Sequence, residues 1–262
     1  MIQSGGCILT AVLYSKSDLS LINKQKLKYV LVDAEKDYFL AIAAGMIYNS
    51  ALAGKIVFKG GTAIHHCYLP QSRFSEDLDF TAVDKRLNID EFKSVLEAEE
   101  IFKIRKHYVS GYSMKINKLQ YQGPIGYPNS LKIEVDLTQS LVLPVSEKEY
   151  NNVWGIKTKV NVMDIKEIFA EKIRAASDRT RYRDFFDLFL LMEHYKFDIK
   201  EIEQILSRKQ NMKPINKKLI SGNWEIARQE KTAEMQRVYY RRDISEPEML
   251  GLIDILNVNT GV

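Results

Sequence analysis

The segment 55-KIVFKGGTAIHHCYLPQSRFSEDLDF-80 decides how this chain is read. A short β-branched and aromatic run, Ile56 to Phe58, leads into Lys59 and the adjacent glycines Gly60 and Gly61, followed by Thr62. Further on, the acids Glu76, Asp77 and Asp79 gather around Leu78 at the start of a second apolar run, Leu78 to Val83. Side chains alternate along a strand, so Asp77 and Asp79 are expected on one face with Leu78 buried behind them. Two carboxylates held that close repel each other unless a cation lies between them. Hard oxygen ligands on a rigid strand suit Mg²⁺, which takes further oxygens from substrate phosphates. Glycines let backbone N–H groups approach a polyphosphate, and Thr62 is expected to cap a short helix that follows. Taken singly, acid-x-acid reads as a half-wetted edge strand and Gly-Gly as a tight turn. Together, each on a strand end, they read as a phosphate and metal site. A third acid is expected on a neighbouring strand, and Lys132-Ile133-Glu134-Val135-Asp136-Leu137 offers Glu134 and Asp136 on one face.

Periodicity supplies the surroundings. Apolar residues recur at helical spacing from about Leu19 to Ala53, with Gly54 as the C-cap and Asn23 or Asp33 marking a start or break. The nearly apolar run Tyr38 to Tyr48 is too short to span a bilayer and reads as a core helix. Ile89 to Phe102 reads as an amphipathic helix. His107 to Tyr121 and Leu131 to Leu137 read as paired strands joined through the Gly123-Pro124…Pro128-Asn129 turn. From Asp164, a candidate N-cap, helical patterns run to Ala176, from Tyr182 to Tyr195 and from Ile199 to Leu206, with 177–181 interrupting. The last fifty residues read as helical or irregular and rich in Lys and Arg. The change in pattern puts a boundary near Val160, giving an α/β part over 1–160 and a helical part over 161–262.

With 262 residues, 45% hydrophobic and 27% charged, the chain can bury a sizeable core. A formal net charge of +4 permits an anionic partner without arguing for one. Cys7 and Cys67 provide neither a disulfide framework nor metal-knuckle spacing. No basic and apolar leader precedes Cys7, so neither a signal nor a membrane anchor is expected, and the cytoplasm is the expected compartment. A Walker-type Gly-x4-Gly-Lys-Ser/Thr run does not occur, which argues against a P-loop ATPase. His65 and His66 are adjacent and would point about 100° apart on a helix, a poor arrangement for joint chelation. The Arg208-to-Lys218 and Arg241-Arg242 clusters read as solvated faces.

Three stretches, Glu35-Lys36-Asp37-Tyr38, Phe58-Lys59-Gly60-Gly61-Thr62-Ala63 and Arg73-Phe74-Ser75-Glu76-Asp77-Leu78-Asp79-Phe80, closely resemble the AbiEii/AbiGii-type nucleotidyltransferase toxins. Glu171-Lys172-Ile173-Arg174-Ala175 with Arg183-Asp184-Phe185-Phe186-Asp187-Leu188 resembles that family's later motif, so the likeness runs from about Glu35 to Leu191. The resemblance implies a DNA polymerase β-like α/β (α+β) fold, a mixed sheet flanked by helices, followed by a mostly helical part that completes the active site. It implies that Lys59, Gly60, Gly61 and Thr62, with Lys172, Arg183 and Asp184, hold the nucleotide. Asp77 and Asp79, with Glu134 or Asp136, would hold Mg²⁺ or Mn²⁺. Lys172 would neutralise a phosphate as a compact charge, and Asp187 would orient it; the plainer reading makes Arg181, Arg183, Asp184 and Asp187 surface pairs. The implied activity is transfer of a nucleoside monophosphate from an NTP to an acceptor hydroxyl, by a toxin of a toxin–antitoxin or phage-defence pair. RNA, such as a tRNA end, would be the acceptor and an antitoxin protein a partner. A small-molecule or protein acceptor, or a regulatory module that binds nucleotide without turnover, stands as the alternative.

Overall fold

A computed structural model describes residues 13–209 and 214–256. Cys7 and part of the Arg208-to-Lys218 cluster lie outside the described residues. The chain divides into two compact units, one of residues 1–139 with 145–162, the other of 140–144 with 163–262.

The first unit opens with α1 (Lys16–Lys26) and α2 (Leu31–Tyr48). The single helical stretch expected over Leu19 to Ala53 is therefore two helices, and Asn23 explains the break. Its buried side chain donates to the Tyr29 carbonyl at 2.8 Å and accepts from the Tyr29 N–H at 3.0 Å. Its own carbonyl accepts from both Leu27 and Lys28, and Lys28 takes a left-handed φ of 64°. Nor does Gly54 cap α2: that helix stops at Asn49, and Gly54 closes a separate 3₁₀ turn over Ala51–Gly54.

Then follow β1 (Ile56–Lys59), the short α3 (Gly60–Ala63) and a π-helical turn over Ile64–Tyr68, then β2 (Asp77–Ala82) and α4 (Ile89–Leu96). Asn88 closes a capping box at the start of α4 with Glu91. The helix expected to reach Phe102 ends at Leu96; Phe102 instead begins β3 (Phe102–Val109), because its ring is needed against Phe39 (5.8 Å) and Tyr121 (6.2 Å) in the core. β4 (Ser113–Gln122) and β5 (Pro128–Asp136) follow, so the run His107 to Tyr121 is not one strand but a hairpin turning at 110–112. The expected antiparallel pairing of β4 with β5 is present. With β6 (Ser146–Glu149) and β7 (Lys159–Val162) the sheet has seven strands in the order β3-β4-β5-β2-β1-β7-β6. It is mixed: β1 is antiparallel to β2, while β2–β5 and β1–β7 run parallel.

One face of this sheet is dry. Helix α2 lies on it, and Phe39 stacks on Tyr121 with ring centroids 3.9 Å apart. Leu78, Phe80, Ile133 and Val135 turn inward, so the alternating residues Asp77, Asp79, Lys132 and Glu134 take the opposite face.

The second unit is helical: α5 (Ile165–Asp178), α6 (Tyr182–His194), α7 (Ile199–Arg208), α8 (Lys217–Arg237) and α9 (Glu246–Ile255). Asp164 caps α5 as expected, accepting from the Lys166 N–H at 2.8 Å. The segment 140–144 belongs here because the buried carboxylate of Glu167 accepts the N–H groups of Val142 and Leu143 at 3.0–3.1 Å. Lys209 meets the same Glu167 at 2.8 Å and Glu171 at 2.5 Å, and those two carboxylates hold its ammonium above the ordinary lysine range against the opposing effect of burial. Among the described residues no helix is long and apolar enough to cross a membrane.

Asn23→Ala should cost about 1–3 kcal/mol, because it leaves the Tyr29 backbone groups unsatisfied in the interior. A urea midpoint indistinguishable from wild type would show that the break between α1 and α2 does not depend on that side chain.

Candidate functional site

The glycine turn and the acid strand meet through their register. Antiparallel pairing sets Lys59 opposite Asp79, so Gly60 emerges from β1 beside that carboxylate. Gly60 has φ +78°, a left-handed conformation, and a Cβ there would overlap Asp79 Oδ2 and lie 3.0 Å from Asp79 Cβ. A Cβ on Gly61 would strike the Arg73 guanidinium and lie 3.0 Å from Ser75 Oγ. The open space expected at these glycines is thus filled by side chains of the chain itself, and the turn is tight because a carboxylate and a buried arginine pack into it. Thr62 does not cap the helix, as α3 begins after Lys59 without a side-chain cap. Its hydroxyl, 1% exposed, instead bonds Ser75 Oγ at 2.9 Å and the Asp77 carbonyl at 2.5 Å, fixing the turn to the root of β2.

Asp77 and Asp79 share a face, as alternation requires, and parallel pairing brings Glu134 opposite Asp79 and Asp136 opposite Thr81. Glu134 is therefore the acid in register with the pair, but its carboxylate is bonded to Lys115 at 2.8 Å. Asp136 accepts from the Thr138 and Gln139 N–H groups at 2.8 and 2.9 Å, and Lys59 lies 3.9 Å away. Burial pushes the Asp136 carboxyl up, but those donors and Lys59 outweigh it and hold it below the ordinary range. Lys59 also donates to Gln139 at 3.1 Å, and Glu76 turns to Lys36 at 3.3 Å rather than joining the pair. Among the described residues no three His, Cys, Asp or Glu side chains converge on a metal position as they stand. The donors nonetheless fit a hard divalent cation in kind: two carboxylates on one strand face and a third beside them in register.

The stretch Glu35-Lys36-Asp37-Tyr38 braces this unit. Asp37 is fully buried and accepts from Trp154 Nε1 at 2.7 Å and Gln71 Nε2 at 2.5 Å. Burial raises its carboxyl, with His66, the Trp154 indole and Gln71 pulling the other way. Glu35 accepts the Ile125 N–H at 2.8 Å. His65 and His66 are buried, and His66 stacks on Tyr150 at 4.4 Å.

In the helical unit the later motif forms a buried ionic cluster. Lys172, 7% exposed, lies 3.0 Å from Asp184 and 2.7 Å from Asp187, both fully buried. Arg179 holds Asp184 from the other side at 2.7 Å. Burial alone would raise the Asp184 carboxyl, yet Lys172 and Arg179 bring it down to about 2. The reading of Asp184 and Asp187 as surface pairs fails on their burial, and only tertiary packing could reveal it. Arg183, half-buried, gives its N–H to Glu234 at 3.2 Å, as Tyr182 does at 3.1 Å, so Glu234 serves as the N-terminal acceptor of α6.

Arg73 and Ser75 stand in the sequence motif without an assigned part, and Lys115 is not singled out there at all. The signal for the first two was their place just before the acids; nothing in the sequence marked Lys115 as the partner of Glu134.

A protein-family model described as "Nucleotidyl transferase AbiEii toxin, Type IV TA system" matches residues 42–251. An uncharacterized protein of Aquifex aeolicus is 24% identical over 170 residues, which is 62% of this chain and 70% of that protein. Among solved structures, the nucleotidyltransferase toxin MenT4 of Mycobacterium tuberculosis superposes with a TM-score of 0.61 at 17% identity, covering 92% of this chain and 99% of its own. An antigenic nucleotidyltransferase-like protein of Paracoccidioides brasiliensis gives a TM-score of 0.43 at 14% identity, over 84% of this chain and 92% of that one.

The helical cluster is expected to fail in acid. A carboxylate depressed in the fold contributes stability above its unfolded pKa and loses it as pH falls through the folded value, so the Asp184 contribution should vanish between about pH 4 and pH 2. Lys172→Ala at pH 7 leaves two buried aspartates undercompensated and should cost about 3–5 kcal/mol. An unfolding free energy within 1 kcal/mol of wild type would refute that. Gly61→Ala should cost about 1–3 kcal/mol through overpacking against Arg73 and Ser75. This loss should be measurable by thermal melting without nucleotide.

Proposed function

Because the chain belongs to the AbiEii nucleotidyltransferase toxin family, we propose that it moves a nucleoside monophosphate from an NTP to an acceptor hydroxyl on RNA, with a tRNA end as a suitable acceptor. The observation that carries the reading is the register that sets Asp79 beside Gly60 on one strand and beside Glu134 on the other. In the reaction an acceptor oxygen attacks the α-phosphorus, its proton passes to one of the site carboxylates, and the bond to the β-phosphate breaks to release pyrophosphate. Asp77 and Asp79 are the residues to hold Mg²⁺ or Mn²⁺, with Glu134 joining once it exchanges Lys115. The bound metal would neutralise phosphate charge and lower the pKa of the attacking hydroxyl.

The chain's own groups do the rest. Thr62, through its bonds to Ser75 and the Asp77 carbonyl, keeps the glycine turn and the acid strand at a fixed spacing. Such fixed positioning is a principal source of rate in phosphoryl-type transfers. Lys59, 3.9 Å from Asp136, is placed to meet a phosphate at the end of β1. In the helical unit, Asp187 holds the Lys172 ammonium in place at 2.7 Å. Type IV toxin membership supports an antitoxin partner, and a role in phage defence accords with it.

Incubating the pure protein with each labelled NTP, Mg²⁺ and total cell RNA tests the proposal directly; label on protein or small molecules alone would refute the RNA acceptor. Asp77→Asn and Asp79→Asn should each lower transfer by about a hundredfold to a thousandfold, the scale of losing one preorganised electrostatic contact. Circular dichroism should show that both variants keep the fold. Chelation with EDTA should abolish transfer and added Mg²⁺ restore it. Turnover surviving in either variant would remove the acid pair from the chemistry.

A further inference from the structure

The face that carries Asp77 and Asp79 continues past them over three more strands. In register, Asp79 of β2 lies beside Glu134 of β5, Glu134 beside Lys115 of β4, and Lys115 beside Tyr108 of β3. A second row begins at Asp77, whose neighbour on β5 is Lys132. Two irregularities enrich this face with cations. A register shift between Ile116 and Leu119 of β4, and others between Ile104 and His107 of β3, set Lys118 opposite Lys106 and leave Arg105 as the extra residue of the bulge. Arg105 reaches Gln120 at 2.7 Å, which turns it to the same side. Lys106, Lys118 and Lys132 are exposed, and among the described residues none of them is ion-paired. Glu134 is neutralised by Lys115, Lys103 is answered by Glu97, and Tyr108 is 57% exposed. Strands lie about 4.8 Å apart, so the strip from Asp79 to Tyr108 is roughly 14 Å long.

We infer that this strip over β5, β4 and β3 is the docking surface for a single-stranded RNA acceptor, its 3′ end at Asp77 and Asp79 and its preceding nucleotides running outward to Tyr108. Unpaired cations spaced across a flat sheet face match a repeating phosphate backbone, and an exposed aromatic at the far end offers a stacking platform for an unpaired base. A solvated lysine face would need neither the aromatic nor the register with the acids. The inference rests on the transfer reading for the direction of the strand; the location of the surface does not.

The test is binding of a 5′-labelled single-stranded RNA with a free 3′ hydroxyl, followed by fluorescence anisotropy at several salt concentrations on the full chain. Lys106→Glu with Lys118→Glu should weaken binding by about tenfold or more and make the salt slope shallower by about 1.4, for two lost single-strand phosphate contacts. Tyr108→Ala should weaken it as well while leaving the salt slope unchanged. Lys16→Glu with Lys24→Glu, an equal charge change on exposed residues of α1, should leave affinity within twofold once ionic strength is matched. Circular dichroism checks that each variant is folded. Equal losses in both double variants, no loss in either, equal affinity and sensitivity for a duplex, or no binding by wild type would each overturn the inference. Charge-dependent binding without transfer to any RNA would keep the surface and overturn the transfer reading. Transfer to RNA by Lys106→Glu/Lys118→Glu at unchanged KM would do the reverse. Labelling of a protein impaired by the same variant would overturn RNA as the occupant.

Discussion

Asp79 needs the space that a side chain on Gly60 would take, and the first unit is organised around that exclusion. Antiparallel pairing of β1 with β2 fixes Lys59 opposite Asp79, and the chain then turns through a left-handed φ that only glycine adopts without strain. The turn can approach the strand this closely because neither Gly60 nor Gly61 carries a Cβ. Thr62 locks the arrangement from below, and Arg73, 2% exposed, fills the remaining space against Gly61. A one-residue slip would send Asp77 and Asp79 into the face occupied by Leu78 and Phe80. The cost of burying those charges therefore protects the register that the site requires.

The two units use charge differently. In the sheet unit the acids stand on a half-open face, where Lys115 and Lys59 answer them at the surface. In the helical unit acids and lysines are buried together: Lys172 with Asp184 and Asp187, and Lys209 with Glu167 and Glu171. Buried pairs of this kind contribute little net stability over apolar packing but are costly to break, so they enforce one arrangement of α5, α6 and the segment 140–144. A lysine held in this way has a fixed ammonium position.

Much of this was legible in the sequence because it depends on short-range pattern. Alternation through Asp77, Leu78 and Asp79 gave the face of the acids, and the same rule placed Glu134 and Asp136 together on β5. The Asp164 cap follows from local helix chemistry, whereas the interruption expected over 177–181 is confined to 179–181, because α5 runs on through Ser177 and Asp178. The family resemblance, carried by the glycine turn, the acid strand and the later helical motif, reached the same nucleotidyltransferase family that matches residues 42–251. Which of Glu134 and Asp136 lies opposite Asp79, and which has its oxygens occupied by loop amides, was not legible, since both depend on cross-strand register and loop contacts.

By itself, then, the sequence determined the mixed α/β class, the identity of the acid strand and glycine turn, and the helical character of the second unit, because periodicity and turn chemistry act over a few residues. Only the tertiary structure decided what those residues touch. The break at Asn23 depends on a bond to Tyr29, and β3 begins at Phe102 because that ring packs on Phe39. The close fit at Gly60 depends on the strand opposite. The buried Lys172 cluster joins residues separated along two helices, and the cationic strip beside the acids arises from bulges and cross-strand register. Each of these is a contact between segments distant in the chain, and no local pattern encodes its partner.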